Sequence, residues 1–111
     1  MAFTVVLDAR RVRDFGIGSY IRNLVRALAA LDAENRYVLV ALPEGAEEFA
    51  DLPANFCTVR FARPDTGLIN QISFSLFLRQ FDADLFHLPL NVVPWGMPRP
   101  YVVTVHDLSS L

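Results

Sequence analysis

The fold of this 111-residue chain is decided by the stretch Asp8-Ala9-Arg10-Arg11-Val12-Arg13-Asp14-Phe15-Gly16-Ile17-Gly18-Ser19-Tyr20. An apolar run, Phe3 to Leu7, comes before it and predicts a buried strand, and an amphipathic pattern from about Ile17 to Leu31 predicts a helix after it. A strand, a glycine-bearing loop and a helix in this order form an anion site. Glycine lets the backbone approach a ligand closely, and the first N–H groups of a helix have no partner of their own. A plainer interpretation is that the glycines only ease the turn into the helix.

The rest of the chain alternates strand and helix patterns. Further strands are predicted at Tyr37–Leu42, Phe56–Phe61, Asp84–His87 and Tyr101–Val105, with a helix from Gly67 to about Phe81. This alternation predicts an α/β fold: a Rossmann-like open parallel sheet flanked by helices, with strand order about 3-2-1-4-5. The apolar surface of the second predicted helix is wider than one stripe, so part of it is expected in the core and the excess is a candidate contact surface.

The composition excludes several classes of protein. The length fits one domain, and a net charge of −2 without a long basic run argues against a nucleic-acid partner. The single cysteine, Cys57, excludes an internal disulfide and a cysteine metal cluster, and its apolar neighbours predict a buried thiol. Neither a signal peptide nor an apolar run of about 18 residues is present, which favours a cytoplasmic protein. A peripheral contact with the inner membrane stays open.

Three suggestive features fall on one edge of the predicted sheet. The glycine loop leaves strand one, the proline-rich loop Leu88–Met97 leaves strand four, and His106-Asp107 ends strand five. Ligands of open α/β sheets bind beyond the carboxyl ends of the strands, near the point where the strand order reverses. Each feature also has a structural explanation, since a histidine at the end of a buried strand is commonly a core residue and a loop tryptophan can simply shield the core.

Several familiar site motifs are missing. Position 21 is Ile where a dinucleotide fingerprint has its third glycine, and no Gly-Lys-Ser/Thr follows the loop. No Gly-x-Ser-x-Gly elbow is present, and the two histidines do not have metal-ligand spacing. The sequence therefore argues against a dinucleotide fingerprint, a nucleotide-hydrolase phosphate loop, a serine hydrolase and a metal site.

Four segments resemble the N-terminal half of family-four (group 1) glycosyltransferases of the GT-B fold. These segments, which keep the family's order along the whole chain, are Asp8-Ala9-Arg10 with Gly16 to Leu24, Asp32-Ala33-Glu34-Asn35-Arg36-Tyr37, Asp84-Leu85-Phe86-His87-Leu88-Pro89, and Val103-Thr104-Val105-His106-Asp107-Leu108.

The resemblance implies a specific activity. Such enzymes have two Rossmann-like domains and transfer a sugar from a nucleotide-sugar donor to an acceptor in the cleft between them, usually with retention of configuration and without a required metal. Residues 1–111 would then be a truncated N-terminal, acceptor-side domain, lacking the nucleotide-sugar domain and its Glu-x7-Glu motif. We expect no transfer by these residues alone, no cofactor, and the nucleotide sugar and acceptor as substrates.

Candidate site residues follow from the shared edge and the resemblance together. His106 is the candidate catalytic residue, because it matches the histidine that faces the reacting sugar. The donor diphosphate is assigned to Gly16, Gly18, Ser19 and Arg10, the last being the loop arginine closest to the strand end. The acceptor-side pocket is assigned to Tyr20, His87, Asn91 and Asp107.

Two other functions remain open from the sequence. One is a non-catalytic α/β binding domain that docks a partner through its apolar helix. The other is a small flavodoxin-like nucleotide binder, which requires phosphate affinity in this domain.

Overall fold

The fold was analysed on a computed structural model that describes residues 2–14, 16–63, 67–89 and 96–103. The elements follow one another as β1 (Thr4–Asp8), α1 (Ile17–Leu31), β2 (Arg36–Ala41), a 3₁₀ helix (Pro43–Phe49), β3 (Phe56–Arg60), α2 (Leu68–Leu78), β4 (Leu85–Leu88) and β5 (Tyr101–Val103). The predicted α/β order is confirmed. The second helix is shorter than predicted, because the chain turns after Leu78.

All the strand pairs of the sheet are parallel. The strands lie in the order β3-β2-β1-β4-β5, which confirms the predicted order and puts the reversal between β1 and β4. In the centre, Val6 of β1 lies opposite Val38 of β2 on one side and Phe86 of β4 on the other. The carboxyl ends of β1 and β4 therefore lie side by side at the point where ligands of such sheets bind.

The two helices cover opposite faces of the sheet. Successive strand residues point to opposite faces, so Leu7 packs with α1 and Val6 packs with α2. On the α1 face Ile21 and Val25 are buried, and on the α2 face Phe74 is fully buried. Because both faces are covered, the central strands are apolar throughout instead of alternating.

The outer face of α2 stays apolar. It exposes Leu68, Ile69, Ile72 and Leu76, of which Ile69 is 73% exposed. A helix that is apolar all round is usually covered on both sides. The excess apolar surface predicted for this helix is therefore present in the fold as an open face among the described residues.

The prediction for Cys57 was wrong, because its side chain is exposed. Its neighbour Phe56 points to the α1 face and stacks on Tyr37, with the ring centroids 4.6 Å apart. Cys57 consequently points to the other face of the sheet. It lies near the amino end of β3, which is an edge strand, and the described elements do not cover the sheet at this position.

Candidate functional site

The carboxyl edge between β1 and β4 brings two predicted site residues together. Tyr20 lies in the first turn of α1, and His87 lies near the end of β4, opposite Leu7 of β1. Their rings meet edge to face, with centroids 6.4 Å apart and planes at 72°. Both are half-buried, so the first turn of α1 and the end of β4 form one partly open surface at the strand-order reversal.

Gly16 forms the exposed tip of the loop that enters α1. Its φ is +81°, a conformation that residues with a side chain rarely adopt, and a Cβ at this position would meet nothing within 4 Å. Its carbonyl accepts the first helical hydrogen bond from the Tyr20 N–H at 3.1 Å. Gly16 therefore gives the loop its turn and leaves space in front of the backbone.

Gly18 has a different role from Gly16. It is buried, and a Cβ there would lie 2.3 Å from the Val12 carbonyl oxygen, which is a backbone clash. Its N–H donates to the Asp14 carbonyl at 2.8 Å. The second glycine thus lets the helix start pack against its own loop, and its N–H is already used within the protein. Its assignment to the donor diphosphate stays a prediction.

Arg10 is buried and paired within the protein, so the geometry gives no support to its assignment to the donor, which stays a prediction. Its Nε and Nη2 donate to the two carboxylate oxygens of Asp8, each at 2.8 Å, and the two side chains are 2% and 1% exposed. The guanidinium lies over the Phe74 ring of α2, 3.6 Å from its centroid. The Asp8 carboxylate and the face of the Phe74 ring both stabilise the guanidinium charge, and the pair is almost completely shielded from solvent.

The remaining loop cations also bind partners within the protein. Arg11 pairs with Asp14 at 3.1 Å on the surface, and Arg13 pairs with Glu47 of the 3₁₀ helix. On α1, Arg22 donates through Nη1 to the Val12 carbonyl at 2.6 Å and through Nη2 to the Ser19 hydroxyl at 3.2 Å. The exposed hydroxyl of Ser19 thus sits beside a cation on the first turns of the helix.

Sequence reasoning missed two residues that organise this edge, Asp8 and Arg22. For Asp8 a signal existed: an acidic residue closes an apolar strand and an arginine follows two positions later. For Arg22 the helical period indicated only an outward, polar position. Its contact with a carbonyl ten residues upstream depends on how the loop folds back.

Three predicted site residues, Asn91, His106 and Asp107, lie outside the described residues. The predicted end of the fifth strand, beyond Val103, also lies there. Their assignments stay predictions.

The opposite, amino edge of the sheet carries a polar network centred on Asp32. Its Oδ2 accepts from the Tyr37 hydroxyl at 2.6 Å and from Asn35 Nδ2 at 2.7 Å, and its Oδ1 accepts from the backbone N–H groups of Glu34 and Asn35. Asn55 then bridges the carbonyls of residues 32 and 35. The polar groups of this turn are used to join α1, β2 and β3, which is a structural role.

The same network shifts two pKa values. Hydrogen bonds from the Tyr37 hydroxyl and from Asn35 and Glu34 hold the pKa of the Asp32 carboxyl well below its usual range. Burial, together with the hydrogen bond to Asp32, raises the pKa of Tyr37 to about 12. Both shifts stabilise the charge states present near neutral pH, a carboxylate and a neutral phenol.

In the part of the chain that the structure describes, no three His, Cys, Asp or Glu side chains come together as metal ligands would. Among the same residues, neither helix has the length and apolar character needed to cross a bilayer.

Comparison of the chain with protein-family models, with curated proteins and with solved structures finds no match. The arrangement of residues at the carboxyl edge therefore has to be interpreted on its own chemistry.

Proposed function

We propose that this chain is the N-terminal, acceptor-side domain of a retaining GT-B glycosyltransferase, which moves a sugar from a nucleotide-sugar donor to an acceptor. One observation carries the proposal: Tyr20 and His87 meet at the carboxyl edge of the sheet where the strand order reverses, and the exposed Gly16 begins the helix that carries Tyr20. The Rossmann-like parallel sheet is also the fold that the sequence resemblance implies.

The chemistry of the edge suits one wall of a transfer site. When a nucleoside diphosphate leaves, its negative charge grows, and preorganised donors in a site shielded from water stabilise it. The loop tip at Gly16 and the start of α1 offer a close approach of backbone and the positive end of a helix dipole. Tyr20 and His87 would line the acceptor side of the same surface.

The roles of the remaining residues come from the resemblance. His106 would face the reacting sugar, where an imidazole can hydrogen-bond a donor hydroxyl or stabilise developing charge. Asn91 and Asp107 would complete the acceptor pocket. The loop arginines are excluded from direct charge stabilisation in this proposal, because each has a carboxylate partner inside the protein.

The test is a transfer assay on the full protein as its gene encodes it. A panel of nucleotide sugars with different bases and sugars is supplied, and acceptor-dependent release of nucleoside diphosphate is measured. We expect release with at least one donor, and none from residues 1–111 alone. A folded full-length protein that releases no nucleoside diphosphate from any donor, or transfer by the 111 residues alone, would contradict the proposal.

A variant sharpens this test. His106→Ala is expected to lower kcat about 10²-fold, in the range for loss of one donor to developing charge, with little change in the unfolding midpoint. The matched control is Arg36→Met, an exposed charge at the amino end of β2, which should leave kcat unchanged. Equal losses of stability and activity in His106→Ala would instead indicate a core histidine.

The apolar outer face of α2 favours a second candidate, a non-catalytic binding domain. A groove of about 320 Å³ runs along this face, lined by Leu68, Ile72, Ser75, Leu76, Arg79 and Gly96. The two candidates differ in the assay above, because the binding domain releases no nucleoside diphosphate from any donor. The variant Ile69→Glu also separates the two candidates. It should abolish partner binding if the chain is a binding domain, and it should leave kcat intact if the chain belongs to a glycosyltransferase.

A further inference from the structure

A buried ion pair lies at the carboxyl end of β1, where the glycine loop begins. Removing two charges from water is costly, and a buried pair is often no more stabilising than apolar residues of the same size. The Asp8–Arg10 pair is bidentate and almost completely buried. Its presence at the end of β1 therefore calls for a role other than stability alone.

The pair holds three segments of the carboxyl edge together. Asp8 is the last residue of β1, and its Oδ1 also accepts from the Arg10 backbone N–H at 3.2 Å. Arg10 Nη1 reaches the Arg63 carbonyl after β3 at 3.4 Å, while the guanidinium face lies on Phe74 of α2. The exits of β1 and β3 and the helix on the lower face are thus tied to one planar group.

From this anchor the loop runs directly to the candidate site. Ala9 donates to the Val40 carbonyl of β2 at 2.7 Å and accepts from the Val12 N–H at 3.1 Å. Val12 in turn contacts Gly18 closely, and Gly18 is two residues from the exposed tip at Gly16. Because these contacts link the chain at residue 10 to the start of α1, a rotation of the chain at Arg10 would displace the start of the helix.

We infer that the Asp8–Arg10 pair positions the glycine loop. It fixes where Gly16 and the start of α1 lie, and how they are oriented, when they meet a donor phosphate. Neither residue is catalytic, because both are buried away from the open edge. This inference rests on the proposed function for its activity readout, and it has a second readout that does not depend on activity.

The test is the double variant Asp8→Val/Arg10→Met in the full protein. Apolar side chains in place of the pair should keep the unfolding midpoint near that of the wild type. The directional hydrogen bonds are lost, so kcat/KM for the nucleotide sugar should fall about 10²-fold, the scale of a misplacement of about 1 Å. The amides of Val12, Asp14 and Gly18 should exchange with solvent about tenfold faster.

The controls keep the outcomes distinct. Arg36→Met removes one charge at the other edge and should change neither readout. If the double variant does not fold, Arg10→Lys replaces it, since lysine keeps the charge but cannot bind both carboxylate oxygens. A stable variant with wild-type kcat/KM and wild-type amide exchange would overturn the inference. If the wild-type protein transfers no sugar, the proposed function fails, and amide exchange alone decides the inference: faster exchange supports it and unchanged exchange overturns it.

Discussion

The two edges of this sheet use charged residues in opposite ways. At the amino edge, Asp32 accepts four hydrogen bonds from residues within five positions of it, close to solvent. At the carboxyl edge, Asp8 binds a single arginine, and the pair is buried under a loop and against α2. Both carboxylates bind partners that are close in sequence, and the difference between the two edges is burial: the Asp8–Arg10 pair is almost completely buried, whereas Asp32 is not.

The difference indicates what each edge is for. The amino edge pairs its polar groups with one another, through the turn at Asp32 and through Asn55, and so joins α1, β2 and β3. The carboxyl edge buries its strongest charges, and at the surface it presents a glycine tip and two aromatic rings, those of Tyr20 and His87. The charged pair at this edge is thus part of the interior, and the aromatic rings lie nearer the surface.

The largest effect on stability is expected for Arg10→Met alone. Without its partner, Asp8 is a buried uncompensated charge, and the loss should cost about 3–5 kcal/mol in the free energy of unfolding. Urea unfolding at neutral pH measures it. The double variant with Asp8→Val should recover most of that loss, and if it does not, packing on Phe74 matters more than charge pairing.

Gly18→Ala should have the next largest effect, about 3 kcal/mol, because the added Cβ would collide with the Val12 backbone. Gly16→Ala is the matched comparison. Its Cβ meets open space, so only the positive φ is strained, at about 1–2 kcal/mol. Thermal or urea unfolding of both variants decides the order, and equal costs would mean that the close approach at Gly18 is not tight.

At the amino edge, Tyr37→Phe should cost about 1 kcal/mol, the net value of one hydrogen bond. The ring and its stack on Phe56 are kept, so only the bond to Asp32 is lost. Tyr101→Phe on the exposed edge of β5 serves as the control and should leave the unfolding free energy unchanged. A loss as large as that of Arg10→Met would remove the distinction between the edges.

The smallest expected effect is a pH dependence. The folded pKa of Asp32 lies below its unfolded value of about 3.9, so its contribution is present above that pH and is lost as the pH falls below it. Unfolding free energies measured from about pH 5 down to about pH 2 should therefore fall more steeply for the wild type than for Asp32→Asn. Parallel curves for the two proteins would show that the hydrogen bonds of the network do not lower the pKa of Asp32.

Much of the fold could be predicted from residue patterns. The bounds of α1, Ile17–Leu31, are those that the helical period indicated, and the strand order follows from alternating strands and helices with right-handed crossovers. The Cys57 prediction failed because apolar neighbours do not show which face of an edge strand is covered. For the candidate site, only its location at the carboxyl edge of the sheet could be predicted, since parallel strands bring their carboxyl ends together whatever their side chains are.

The order of the elements, the parallel sheet and the edge at which its loops gather could be predicted, because hydrophobic periods and turn residues act over short stretches of chain. The burial of Arg10 on Phe74, the close packing of Gly18 and the contact of Tyr20 with His87 could not be predicted in this way. Such contacts join residues remote in the chain, and their geometry is set by how the loop and both helices pack on the sheet.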